Sequence, residues 1–250
     1  MSDGLYVGMN GAAARAMELE SIADNLANAN TPAYKAQRPA FASFLAAEQG
    51  GSKGAIDQVH PAAVATALDM RLGLTMPTNR NLDVVPRDDT FLGIQGPDGR
   101  TVYTRQGALN VNGVGQLCSL DRPLVGQSGG PITIPMGQFG TAQGLGQRVF
   151  ITEEGYVRVG DVTVDRLALF QLSGPIDRLG TGLVAPGAGG TVVPTADVRV
   201  QTGVLEQSNV NALETTVSLI NAQRHFESAM QALNTYRRMD DKMNESGRIR

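Results

Sequence analysis

The chain has 250 residues, 42% hydrophobic and 18% charged, so it can bury a sizeable core and is not a disordered polymer. Its net charge of −3, with no basic cluster interleaved with aromatics, excludes a nucleic-acid binder, which needs concentrated Lys and Arg. A lone cysteine, Cys118, excludes an intrachain disulfide.

The opening Met1-Ser-Asp-Gly-Leu-Tyr-Val-Gly8 has neither a basic start nor a continuous apolar run, so no cleaved secretory signal is expected. From Leu5 onward, apolar or small residues recur at Met9, Ala12, Ala16, Leu19, Ala23 and Leu26, with Ile22 alongside. Steps of three and four put them on one face and predict a helix over 5–26. Arg15, Glu18, Glu20 and Asp24 lie largely off that face. The helix must stop near Asn30, because Pro32 disfavours the α conformation at Thr31 and has no amide hydrogen. The following segment is less regular. Phe41-Ala-Ser-Phe-Leu-Ala-Ala-Glu48 fits a short helix or a strand, and Thr75-Met-Pro-Thr-Asn-Arg-Asn81 reads as a linker.

From Leu82 to Leu172 the pattern is one of short β segments. Phe91–Gln95 and Val102–Arg105 flank the turn Gly96-Pro-Asp-Gly99, which predicts a hairpin. Ala108–Val111 leads through Asn112-Gly113 into Gln116–Ser119, a second one. Ile132–Ile134, Val149–Ile151, Tyr156–Val159 and Leu167–Leu172 complete the strand candidates of an antiparallel barrel or sandwich. Between Ser173 and Gly190 the glycines predict a loop.

Helical periodicity returns after Asn209. Asn211-Ala-Leu-Glu214 has the form of a capping box. Leu219, Ala222, Phe226, Ala229, Leu233 and Tyr236 follow at steps of three and four, widened by Leu213, Val217, Ile220 and Met230. A helix of about 30 residues, roughly 45 Å, is expected. The fold class is therefore α+β: long N- and C-terminal helices form a coiled-coil-like inner domain, and a mainly antiparallel β domain is inserted between them. Residues 1–35 and 207–250 make the inner domain, 36–81 a connector and 82–206 the β-rich outer domain. A β body of this size needs no such helices for its own core. They pair with each other as an antiparallel coiled coil, pack on neighbouring copies, or both; two core helices of one α+β domain are the plain alternative.

Reactive chemistry is thinly represented. Gly126-Gln-Ser128-Gly-Gly130 matches the nucleophile elbow of hydrolases, yet Pro131-Ile-Thr-Ile-Pro135 cannot easily start the helix that the elbow requires. Gly180-Thr-Gly182-Leu-Val-Ala185 matches a loose dinucleotide fingerprint, but Pro186 and more glycines follow in place of a helix. With two His and one Cys far apart, a zinc site of ordinary spacing is missing, and Asp88-Asp89 read as a solvated turn. No catalytic, cofactor or metal residues and no small-molecule substrate are expected; an exported β-rich hydrolase using Ser128 is the alternative of another class. A membrane-surface helix is disfavoured because Arg15 is the one cation on the N-terminal helix.

The two ends carry the strongest signal. Ile22-Ala-Asp-Asn25-Leu-Ala-Asn28-Ala-Asn30-Thr-Pro32-Ala-Tyr-Lys35 resembles the N-terminal signature of flagellar rod and hook axial proteins. Leu205-Glu-Gln-Ser-Asn-Val-Asn211 and Ala222-Gln-Arg-His-Phe-Glu227 resemble that family's C-terminal signature. Gly4-Leu-Tyr6, Tyr103-Thr-Arg-Gln-Gly107 and the length resemble its proximal-rod members more than its distal-rod or hook-type ones. Three departures stand out: Asp24 where Asn is common, Ala33 where Gly is usual, and Arg87-Asp-Asp-Thr-Phe-Leu92 for a glycine-rich turn. The last calls for left-handed backbone that Gly adopts more readily than Asp or Thr.

The resemblance implies a structural, non-enzymatic subunit of the basal-body rod, a tubular axial structure that spans the periplasm and transmits torque for motility. Its partners would be other copies of itself, other rod proteins and, during delivery without a cleaved signal, the flagellar export apparatus. Leu5, Met9, Leu19, Ile22, Asn25, Leu26 and Asn28 on the first helix would form the subunit interface. Leu213, Leu219, Ile220, Phe226, Met230, Leu233 and Tyr236 would do so on the last. Asn25 and Asn28, three apart, either cap the helix locally or bridge to another chain.

Overall fold

The stripe from Leu5 produces helix α1, Ser2–Ala27, in the computed structural model, which describes residues 2–40, 65–96, 98–135 and 149–247. The helix ends a few residues before Asn30. Asn28 to Asn30 already turn, and the Thr31 amide donates to Asn28 O at 3.1 Å. Helix α2, Ala212–Gly247, has 36 residues, more than its periodicity suggests. Asn211 caps it: its Oδ1 accepts from the amides of Leu213 (3.1 Å) and Glu214 (3.4 Å).

Residues 1–27, 37–69 and 211–250 make one compact unit; 28–36 and 70–210 make the other. In the first, α1 and α2 pack against each other. Ala12, Ala222 and Leu233 are buried, and a Cβ at Gly8 would stand 2.8 Å from Leu233 Cδ2. The small residues thus let the helices approach closely enough for Leu233 to fill the seam. Strand Gln37–Ala40 pairs antiparallel with Ala65–Leu68. The ambiguous Phe41–Glu48 segment lies outside the described residues.

The second unit is built from antiparallel sheets. Its largest has six strands in the order Ile176–Gly180, Leu183–Pro186, Thr101–Thr104, Thr90–Gln95, Leu169–Ser173, Thr191–Pro194. One three-stranded sheet joins Val149–Ile151, Tyr156–Val159 and Val162–Arg166; another joins Asn110–Val111, Leu117–Ser119 and Arg122–Pro123. Two ribbons pair Val84–Pro86 with Val200–Thr202 and Thr75–Pro77 with Val204–Glu206. The core is aliphatic, with Leu92, Ile94, Leu109, Leu117, Leu124 and Leu167 fully buried.

Both sequence-predicted hairpins form, but three expectations need correction. The segment Ser173–Gly190 is not a loop: Ile176–Gly180 and Leu183–Pro186 are paired strands. Its glycines 174, 182 and 189 take positive φ at the bends, while the residues between them form the ladder. Thr75–Pro77 is a strand and not a linker, because Val204–Glu206 lies alongside to complete its hydrogen bonds. Ile132–Ile134 makes only isolated bridges, although Ile132 and Ile134 are buried. Where a glycine-rich turn is usual, Asp88 adopts φ 56°, a conformation that Asp tolerates. The Thr90 hydroxyl closes that turn by donating to Arg87 O at 2.6 Å.

Gly73 runs so close to residue 207 that a Cβ would collide with Gln207 O. Gly73→Ala is expected to cost the β unit about 2 kcal/mol or more, since the obstacle is main chain. Urea denaturation of purified protein would register this as a lower midpoint at constant slope.

Candidate assembly site

Asn25, at the end of α1, is buried and directs both amide atoms at one residue. Its Nδ2 donates to Gln37 O and its Oδ1 accepts from the Gln37 amide, each at 2.8 Å. Asp24 Oδ2 accepts from Gln37 Nε2 at 3.0 Å, so helix and strand are bonded side chain to side chain as well. Asn28 works locally: its Oδ1 accepts from the Thr31 hydroxyl at 3.2 Å. Asn25 thus joins the helix to the strand, and Asn28 braces the turn that follows it.

The next part of the signature meets the other one inside the β unit. Ala33, at φ 57°, donates its amide to Glu206 O at 2.8 Å. Asn209 Oδ1 accepts from the Ala36 amide at 2.8 Å, and the Asn209 amide donates to Tyr34 O at 3.3 Å. Beneath this clasp Glu206, 2% exposed, takes Lys35 Nζ on Oε1 (2.7 Å) and Arg105 Nε on Oε2 (2.9 Å). The Gly73 amide adds a bond to Oε1 at 3.1 Å. Lys35 also donates to Arg71 O, and the Arg105 guanidinium to the carbonyls of Pro86, Asp88 and Thr90.

Burial pushes the Glu206 carboxyl up, but the Arg105 charge and the bonds from Lys35 and Arg105 together hold it below the usual carboxylate range. One carboxylate thus ties the segments before and after the β body. Lys35, Arg105 and Glu206 stand in three separate motifs of the sequence, whose spacing does not show that they converge. The available signal was charge standing among residues that otherwise bury.

On the helices, Leu233 sits in the seam, and Leu19, Ile22, Leu26, Leu219 and Phe226 are half-buried. Met9, Leu213, Ile220, Met230 and Tyr236 are exposed. The Leu5 side chain lies outside the described residues. The stripe is therefore divided: one part lines the contact between α1 and α2, and another is open.

Among the described residues, reactive groups are not gathered. The Ser128 hydroxyl donates to Asp165 Oδ2 at 2.8 Å, and Gly180–Leu183 is the bend of a strand hairpin. Burial and the nearby Asp121 charge push the Cys118 thiol up. Among the described residues no three His, Cys, Asp or Glu side chains come together as a metal site.

Three family descriptions match in chain order. "Flagella basal body rod protein" covers residues 5–35, "Flagellar hook protein FlgE/F/G D1 domain" 87–159, and "Flagellar basal body rod FlgEFG protein C-terminal" 201–246. The chain is 31% identical to the flagellar basal-body rod protein FlgF of Salmonella typhimurium, covering 98% of each chain. It is 31% identical to FlgF of Escherichia coli over 94% of each, and 29% identical to the rod protein FlgG of Caulobacter vibrioides over 92% of this chain and 94% of that one. The first match runs along α1 to Lys35 in the clasp, the second lies within the β unit, and the third takes in the other half of the clasp, 206–209, and nearly all of α2. With this likeness running from end to end, the chain belongs to the flagellar basal-body rod protein family.

Proposed function

We propose that this chain is a non-enzymatic rod subunit that polymerises through its terminal helices, and that the similarity to FlgF favours the proximal rod. The observation that carries the reading is the open apolar surface of α2. Leu213, Val217, Ile220, Tyr236 and Met239 stand exposed on one 36-residue helix whose seam with α1 is already formed. Exposed apolar surface on that scale favours burial against another protein. Identical or similar subunits joined head to tail without closing produce a helical tube. The helices, residues 1–35 and 207–250, would form a coiled-coil-like inner layer, and the β-rich 82–206 the outer one. Delivery by the export apparatus without a cleaved signal, a place in the periplasm-spanning rod and transmission of torque follow from the same reading.

A seam between two helices is a thin core, so before assembly they open easily. In dilute monomer, amide exchange across 1–27 and 211–247 should be rapid while the strands between Leu82 and Leu172 stay protected. Once assembled, both ends should become slow to exchange. Helical ends as protected in a verified monomer as in the rod would show that they complete a self-sufficient core and are not the polymerising surface.

A further inference from the structure

Helix α2 has a second apolar face. From Leu213 to Ala222, which is buried against α1, is nine residues or about two and a half turns. Leu213, Val217 and Ile220, spaced by four and three, therefore point away from the seam, with exposures of 83%, 60% and 48%. Arg224, one turn beyond Ile220, continues this face. It is exposed and forms no ion pair among the described residues; its neighbour Glu227 accepts instead from Gln223 Nε2 at 3.5 Å.

A complementary surface lies on α1. A groove of about 660 Å³ is lined by Met17, Glu20, Ala23, Asp24, Ala27 and Gln37. Ala23 and Ala27, one turn apart, leave an apolar floor with room for larger side chains. The rim is anionic. Asp24 is bonded to Gln37, whereas Glu20 is exposed and forms no ion pair among the described residues.

We propose that the Leu213–Val217–Ile220 knob of one copy seats in the α1 groove of a second copy, with Arg224 against Glu20. This contact rests on the assembly reading above and names its surfaces. A second copy is the occupant because one chain supplies both halves, apolar knob with cation and apolar groove with anion, on different helices. A contact between unlike surfaces leaves each copy one free knob and one free groove, so it propagates. Charge pairing at its edge sets register and suppresses wrong docking.

Sedimentation of full-length protein over a concentration series tests the contact. Arg224→Glu puts Glu against Glu20, and Glu20→Arg puts Arg against Arg224. Each variant alone should associate about tenfold or more weakly than the parent, at unchanged helical circular dichroism. An equimolar mixture of the two should regain association, because every contact then pairs opposite charges; so should a chain carrying both changes. Val217→Asp should weaken association, and neither charge variant should rescue it. Single variants that associate like the parent, or a mixture that does not recover, would overturn the contact. If the helical ends still gain exchange protection on assembly in that case, the assembly reading stands and only this contact falls. Parent protein that stays monomeric up to about millimolar concentration, where even weak specific pairs form, would overturn a second copy as the occupant.

Discussion

Truncating Glu206 to Ala is expected to remove about 3–5 kcal/mol from the stability of the β unit, a large share of what a domain of this size has. The loss comes from what remains. Lys35 and Arg105 are buried on either side of the carboxylate, and without it two like charges face a shared cavity. Arg105 keeps its carbonyl partners, but Lys35 retains only Arg71 O among its bonds described above. The change also loosens the hold of 33–36 on 206–209, so those amides should exchange first. Glu206→Gln separates charge from shape, since it fills the space and cannot balance the cations.

The pH dependence follows from the depressed carboxyl. Its contribution is complete above the ordinary carboxylate value and is lost as pH falls through the lower folded-state value. The gap between parent and Glu206→Gln should therefore be full at pH 7 and shrink below about pH 4. With no Trp in the chain, urea unfolding would be followed by far-ultraviolet circular dichroism. A midpoint that does not move on truncation would mean that the ion cluster is dispensable.

Leu233→Asp should produce the second large effect, confined to the helical unit. Leu233 is 6% exposed and, among the described residues, is the one large apolar side chain on either helix that is fully buried, so its half-buried neighbours compensate little. An unpaired carboxylate there costs several kcal/mol, on the order of what a two-helix seam can supply. The expected readout is loss of much of the helical circular dichroism and of assembly, with amide protection in the six-stranded sheet retained. Ile220→Asp offers the contrast: half-exposed on the other side of α2, it should leave helicity almost unchanged. Equal loss of helix in both variants would show that α2 has no distinct seam.

The features legible in the sequence were those with a local physical cause. Helical stripes follow from spacing, the start of α2 from Asn211, and the hairpin at Thr90–Thr104 from its Gly-rich turn. The ribbon of Thr75–Pro77 was invisible because its partner lies beyond residue 200, and no short-range pattern announces such pairing. Glycine misled at Ser173–Gly190: it marked the bends correctly but made the strands between them look like more of the same. The Lys35–Glu206 pair spans 171 positions, which places it beyond any window-based reading. The apolar residues of α2 were recognisable, yet only the position of α1 separates Ala222 and Leu233 from Leu213 and Val217.

The clasp between 33–36 and 206–209 also lowers the entropic cost of pairing the helices. Gly8 and Leu233 lie near opposite ends of the chain, so closing their seam from an unfolded polymer confines a loop of nearly the whole protein. Once the β body has formed, its own hydrogen bonds hold the two exit segments side by side, and the helices become short tethered arms at high effective concentration. The long-range contact then carries the closure entropy of a short loop. Helix pairing is thereby favoured once the body is complete, and a chain emerging in order can expose α1 and α2 as a pair only after α2 has been made.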